Sequence, residues 1–173
     1  MYGSKPTNSV WNLRTNDMSL VQNQIEFNHP LQFSIALSFM AGCDTSGNKT
    51  YVDFNTIAPI SNRIKNAFKD RQAQQLVCWS VPNNATDVEI NKTNLIIRFK
   101  TERNHPLGIV KALHAKLPGG WTWKFASKSI GFDVGYYIAN GIEREFVDLS
   151  DTPDGIELTK ELWNLQKREE TNA

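Results

Sequence analysis

The stretch Asn94-Leu-Ile-Ile-Arg-Phe99, then Asn104-His-Pro-Leu107, an amphipathic run to Leu117, Trp121-Thr-Trp-Lys-Phe125 and Phe132-Asp-Val-Gly-Tyr-Tyr-Ile138 decides the fold of this chain. Leu95, Ile97 and Phe99 alternate with Asn94, Arg98 and Lys100, and Trp121, Trp123 and Phe125 alternate with Thr122 and Lys124, the period of half-buried strands. Phe132, Val134, Tyr136 and Ile138 share one face of a third strand. Asn140-Gly141 suits the two positive-φ positions of a type I′ hairpin turn, so a returning strand is expected over Ile142 to Leu149. Leu107, Val110, Leu113 and Leu117 have helical spacing, with Asn104 or His105 as its cap, Pro106 in its first turn and Pro118-Gly-Gly120 as its end.

Working outward, Ser19 to Phe27 reads as a weaker strand and Leu31 to Ala41 as a helix apolar almost all round. Val10-Trp-Asn-Leu13 is a short alternating run. Asn28-His-Pro-Leu31 recurs unchanged as Asn104-His-Pro-Leu107, which suggests an internal repeat with a period of 76 residues. Tyr51 to Phe54 and Leu76 to Val81 read as strands, Ser61 caps a helix, and Pro82-Asn-Asn84 is a turn or a joint. Ser150 or Asp151 caps a last helix with Leu158, Leu162 and Leu165 as its stripe, and the polar tail from Lys167 frays. The expectation is an α+β fold, a ferredoxin-like antiparallel sheet with helices on one face. It is divided into an N-terminal lobe 1–82 and a C-terminal ferredoxin-like lobe 83–173, or built as one continuous domain.

The 173 residues carry a net charge of +1, unevenly spread. Residues 61–124 hold eleven Lys/Arg against four Asp/Glu, whereas residues 125–173 hold five against ten. Either half can present a charged face, or the two can screen each other. The start lacks the apolar core of a secretory signal and no run approaches a membrane span, so a cytoplasmic setting is expected. Cys43 and Cys78 lie beside apolar residues and read as reduced core cysteines. Three isolated histidines and two distant cysteines offer no metal-chelating spacing, and Pro118-Gly-Gly120 lacks the Lys and Ser/Thr of a phosphate loop, so no metal or cofactor is expected.

From about Trp79 to Trp163 the chain resembles the YubB-like proteins, a ferredoxin-fold family of uncharacterised plasmid and phage proteins. The residues that carry the resemblance are Val52-Asp-Phe-Asn-Thr-Ile-Ala-Pro-Ile60, the Leu95–Phe99 strand, Pro106-Leu107, Gly131-Phe-Asp-Val-Gly135 and Trp163. Where that family has an Asn-Trp-Gly-Thr-Lys-Trp-like run, this chain has Val81-Pro-Asn-Asn-Ala-Thr-Asp87. The resemblance implies a ferredoxin-like sheet and a mobile-element origin, and it implies no activity.

Three constellations follow. His29 and His105, at matching places in the repeat, resemble the pair of two-histidine phosphoesterases, but Leu31 and Leu107 stand where those enzymes carry Ser or Thr, and helix capping or packing also explains both. Arg98, Lys100 and Lys124 with Tyr137 are the residue types of a sheet that binds nucleic acid. Glu143, Glu145, Asp148, Asp151 and Asp154 form an acidic set able to meet a basic protein surface. With no catalytic set evident, the expected function is that of a small phage or plasmid binding protein. It would inhibit a host defence component, a nuclease or a CRISPR effector, by docking on it.

Overall fold

In the computed structural model, which describes residues 20–165 apart from 45, 130 and 142, Leu20–Phe27 (β1) has both edges paired, to Ile96–Glu102 (β5) on one side and Trp121–Ser127 (β6) on the other. Both pairings are antiparallel, so β5 and β6 run the same way with β1 between them, and a crossover must join them. The helix Leu107–Lys116 (α5) makes it. Thr86–Asn91 (β4) pairs outside β5, and the hairpin Val134–Asn140 (β7) and Glu143–Asp148 (β8) extends the sheet beyond β6, giving the order β4-β5-β1-β6-β7-β8. The four strands β4, β5, β1 and β6 with the helices after β1 and β5 are the ferredoxin-like unit, within an α+β fold.

After β1 comes Pro30–Met40 (α1), then a two-stranded ribbon of Gly42–Cys43 (β2) and Lys49–Thr50 (β3), and three short helices, Phe54–Ile57 (α2), Asn62–Ala67 (α3) and Arg71–Trp79 (α4). The core lies between this helical layer and one sheet face. It takes Val21, Ile25, Phe27, Ile97, Phe99, Trp121, Trp123 and Phe125 from the sheet, and Phe33, Met40, Phe54, Trp79, Ile109 and Leu113 from the helices. Residues from both sides of position 82 therefore share one core. The last helix, Pro153–Trp163 (α6), lies on the opposite face, where Leu158 and Leu162 cover Ala126 and Val134. The expected one-sided helical layer is thus joined by a helix on the second face, because Ala126 and Val134 leave an apolar patch there for α6 to bury.

The repeated tetrapeptide falls on equivalent junctions, between β1 and α1 and between β5 and α5. Asn23 pairs with Phe99 in the ladder, 76 residues apart, the offset that also separates Asn28 from Asn104. A pseudo-twofold axis relating the two βα units therefore passes through the Asn23–Phe99 pair. Asn23 is fully buried there, donating to the Val21 carbonyl (3.1 Å) and to Thr101 Oγ1 (3.0 Å) while its own oxygen accepts from Trp123 Nε1 (3.1 Å). A buried amide satisfied on both sides ties all three central strands into one register.

Several expected elements shift. Leu76 to Val81 is not a strand, since Leu76–Trp79 ends α4. That helix starts on Asp70, whose carboxylate accepts from Ala73 N–H (2.8 Å), and stops at Ser80 with φ 68°. A short apolar run reads alike for a buried strand and a helix, and the cap decides. Tyr51 to Phe54 likewise holds no strand, because Asp53 caps α2. The β7–β8 turn begins after Asn140, which remains paired with Glu143, and Gly141 there has φ 69°. Thr152, not Ser150 or Asp151, caps α6. Cys43 is exposed and Cys78 half-buried, both free thiols. The Val10–Leu13 run and the tail from Lys167 lie outside the described residues.

The segment between α1 and β4 is fastened by a buried Asp53–Asn84 pair. Asn84 Oδ1 accepts from the Phe54 and Ala85 N–H groups (both 2.9 Å) and its Nδ2 donates to Asp53 Oδ1 (2.9 Å), which also accepts from Asn55 N–H (2.9 Å). Close by, a Cβ at Gly108 would run into the Cys78 carbonyl oxygen, so glycine sets how near α5 approaches α4. Asn84→Ala leaves two buried N–H groups and a carboxylate oxygen short of partners, and is expected to cost about 3 kcal/mol. Thermal denaturation should show a midpoint lower by roughly 10 °C.

Candidate functional site: the sheet face beside the last helix

Side chains paired across neighbouring strands share a face, so the register shows what the second face carries. Glu89, Arg98, Gln24, Lys124, Tyr136 and Val147 form one row across all six strands, and Ile96, Glu26, Thr122, Ile138 and Glu145 a second beside it. Helix α6 lies over β6 and β7 and seals part of this face, anchored by Trp163 Nε1, which donates to the Ala126 carbonyl (2.9 Å). Glycine makes the approach possible: a Cβ at Gly155 would collide with the Leu149 carbonyl and press on Val134.

Arg98, Lys100 and Lys124 do come together here. Arg98 and Lys100 line a cavity of about 510 Å³ with Gln22, Trp163, Asp87 and Glu89. Both lysines are ion-paired and Arg98 is bonded to a neutral amide. Arg98 Nε donates to Gln24 Oε1 (2.6 Å), Lys100 bonds Asp87 (2.8 Å), and Lys124 sits between Glu26 (2.8 Å) and Glu161 (3.5 Å). Burial pulls the Lys124 pKa down, but the hydrogen bond and charge of Glu26, with those of Glu161, outweigh it and hold the ammonium above the ordinary lysine range. Tyr137 is elsewhere. It is buried on the helical side, pairing with Trp123 in the ladder and stacking on Trp121 at 5.6 Å, so the aromatic of the open face is Tyr136. Phe132 precedes β7, and Gly135 lies opposite Phe125, so the facing side chains of β7 are Tyr137 and Ala139. Trp163, whose ring stands 5.8 Å from Lys100 Nζ, is the aromatic that sequence reasoning left out of this cluster.

The acidic set divides. Glu143 and Glu145 share the open face with Ile138, whereas Asp148 points to the other side of β8, where its oxygen accepts from the hydroxyl (2.6 Å) and N–H (2.9 Å) of Ser150. Those two bonds hold the Asp148 carboxyl below the usual range. A depressed pKa contributes stability above the unfolded value near 3.8 and loses it as pH falls through the folded value. Asp151 occupies the left-handed turn ahead of α6, with φ 58°. Asp154 lies on α6 with Glu157 and Glu161, at spacings of three and four, and these three line a trough of about 460 Å³ with Tyr136, Lys124, Leu149 and Leu158. Glu157 and Glu161 were not among the expected residues, although the helical spacing from Asp154 was there to read.

The two histidines are kept apart. His29 follows the Phe27 end of β1 and His105 the Glu102 end of β5, and because these strands are antiparallel the two lie at opposite ends of the sheet, a strand length of roughly 25 Å. His29 is exposed and caps α1, its Nδ1 accepting from Leu31 N–H (3.1 Å). His105 does not cap α5; Pro106 precedes that helix without a side-chain bond. Its ring stacks on Phe125 at 3.9 Å and on Phe146 at 5.7 Å, while Asp133 takes both its N–H (2.6 Å) and its Nδ1 (2.5 Å). The left-handed Asp133, φ 40°, thereby ties the turn before β7 to the start of α5.

Among the described residues no group of three His, Cys, Asp or Glu could hold a metal ion, and no helix is long and apolar enough to cross a membrane. No protein-family model matches this chain, and no curated protein or solved structure matches it either.

The histidines should behave unequally. Removing the His29 cap costs about 0.5–1 kcal/mol. His105→Ala strips a stacked pair and a charge-assisted hydrogen bond and should cost about 2–3 kcal/mol, a gap that chemical denaturation of both variants reads directly. Ser150→Ala should raise the Asp148 midpoint toward 3.8, followed by carboxyl-carbon NMR titration.

Proposed function

We propose that this protein works by docking, using the α6 side of its sheet as an acidic surface for a basic protein partner. The observation that carries the reading is the trough beside α6. Asp154, Glu157 and Glu161 form its wall and Tyr136 lies in it, while Glu143 and Glu145 stand on the same face of the neighbouring strand. Lys124 lines it too, and its charge is answered by Glu26 and Glu161. An arginine or lysine entering the trough meets carboxylates beside a tyrosine, a setting that favours a cation.

Surfaces that handle nucleic acid are basic, and a protein carrying an ordered row of carboxylates can occupy them in place of phosphates. Taken with the resemblance to mobile-element proteins, the partner proposed is a host nuclease or CRISPR effector. It would be met in the cytoplasm and blocked by occupation of its nucleic-acid-binding surface. The competing reading, direct nucleic-acid binding, draws on Arg98, Lys100 and Trp163 in one cavity, but Asp87 and Glu89 line the same cavity and the Lys100 charge is already answered by Asp87.

Affinity capture from host-type lysate, with nuclease treatment and a salt series, separates the two. Retention of one host protein after nuclease treatment, weakened at least about tenfold by Asp154→Lys with Glu157→Lys, is the expected result, since buried opposite-charge contacts across an interface couple by about 1.5 kcal/mol or more. Capture that disappears with nuclease and depends instead on Arg98 and Lys100 would move the function to nucleic acid. Unchanged capture by the charge-reversed protein would remove the acidic trough from the interface.

A further inference from the structure

The sheet ends in two different edges. On β4 the register shifts between Thr86 and Glu89, and Asp87 there has φ 48°, so a bulge breaks the edge, a common protection against strand addition. Strand β8 is regular, paired residue by residue with β7 from Glu143 to Asp148, and among the described residues it is the last strand of the sheet.

Its outward backbone groups, unpaired among the described residues, can be placed. Antiparallel ladders alternate hydrogen-bonded and non-hydrogen-bonded pairs, and the Leu149 N–H donates to the Val134 carbonyl (2.9 Å) at one end of this one. Counting back by twos, Val147, Glu145 and Glu143 also point their backbone groups inward to β7. Arg144, Phe146 and Asp148 therefore turn theirs outward. The side chains of these three lie on the helical side of the sheet, and Phe146 remains 48% exposed although its ring stacks on His105 and Phe125.

The geometry points to a second copy of this chain as the occupant of the β8 edge, paired antiparallel with its own β8 about a twofold axis at Phe146. A twofold axis perpendicular to a sheet keeps each side chain on its face, so only registers centred on a residue are allowed. Centred on Arg144, the two arginines oppose each other and Glu143 faces Glu145. Centred on Glu145, the two glutamates collide. Centred on Val147, Phe146 faces Asp148 and no opposite charges meet. Centred on Phe146, the two phenylalanines pair, and Arg144 stands opposite Asp148 twice, by symmetry. This register also brings the outward backbone groups of Arg144, Phe146 and Asp148 opposite their counterparts, so that each outward N–H and C=O finds a partner.

The side chains suit those roles. Arg144 forms no ion pair among the described residues, and Asp148 is held as a carboxylate by Ser150 through one oxygen, leaving the other for a guanidinium. On the α6 face Glu145 falls opposite Val147, and the nearest like charge, its own symmetry mate, is a diagonal away. Charges on an edge strand ordinarily deter pairing; here their order deters the registers centred on Arg144 and Glu145, leaves the one on Val147 without an ion pair, and favours the one on Phe146. The two sheets join into one of twelve strands, with both acidic troughs on the same side.

Sedimentation velocity of the full chain from about 1 μM to about 1 mM tests this at low salt. A monomer–dimer equilibrium is expected. Arg144→Asp alone or Asp148→Arg alone should weaken it at least about tenfold, because each sets like charges opposite, and the double exchange should restore it to within about threefold by reversing both pairs. A monomer over the whole range overturns the inference, as does open-ended association. So does a dimer indifferent to the single exchanges, or one the double exchange fails to rescue. The wild-type series stands whether or not a variant folds, and circular dichroism confirms that each variant compared is native.

Discussion

The structure depends on β1 having no free edge. A strand hydrogen-bonded on both sides forces β5 and β6 to run parallel to each other across it, and that makes a crossover helix obligatory. From this come the helical layer, the face on which the aromatic residues of β5 and β6 must be buried, and the placing of Asn104-His-Pro-Leu107 at the helix entry. Asn23 sharpens the constraint. Its amide reaches Thr101 on β5 and Trp123 on β6, so slippage of either neighbour by one residue would bury unpaired polar groups.

The same strand explains why two copies of one tetrapeptide came to do different work. The pseudo-twofold axis at Asn23 and Phe99 makes the two βα junctions equivalent in topology, but their surroundings differ. The β7–β8 hairpin extends the sheet only beyond β6, and it brings Asp133 and Phe146 against the second copy. His105 is drawn into that contact while His29 remains a solvent-facing cap. Two histidines that look paired in sequence are thus separated by the antiparallel pairing of the strands they follow.

How much could be read from the residues follows from the same physics. Strands with strict alternation, such as Trp121 to Phe125, and helices with a clean stripe, such as Leu107 to Leu117, were legible because one face is buried and the other is not. Leu76 to Trp79 was not, since a short apolar run serves helix and strand equally and the deciding signal, Asp70, lies six residues upstream. β4 escaped notice because its inward residues, Val88 and Ile90, alternate across a bulge that breaks the period. The face assigned to β7 paired Phe132 with Tyr136, but Phe132 lies before the strand. Tyr136 then follows Val134 onto the side of α6, where Val134 is buried, and Tyr137 goes to the core.

The candidate site was legible in its parts and not in its assembly. Alternation puts Arg98, Lys100 and Lys124 on one face, yet what they meet depends on strands and a helix far away in sequence: Gln24 on β1, Asp87 at the bulge, Glu161 on α6. A basic segment and an acidic segment that look like opposite faces in a linear count interleave once the sheet forms. The surplus on the α6 side is then decided by which carboxylates lack a cation. Glu26, Glu161 and Asp87 are matched, Glu157 is met by Lys160 at 3.1 Å and Arg98 is bonded to the neutral Gln24, whereas Glu89, Glu143, Glu145 and Asp154 form no ion pair among the described residues. The unmatched charge of the second face is therefore negative, and it is this remainder, not the charge of either half of the chain, that an approaching partner meets.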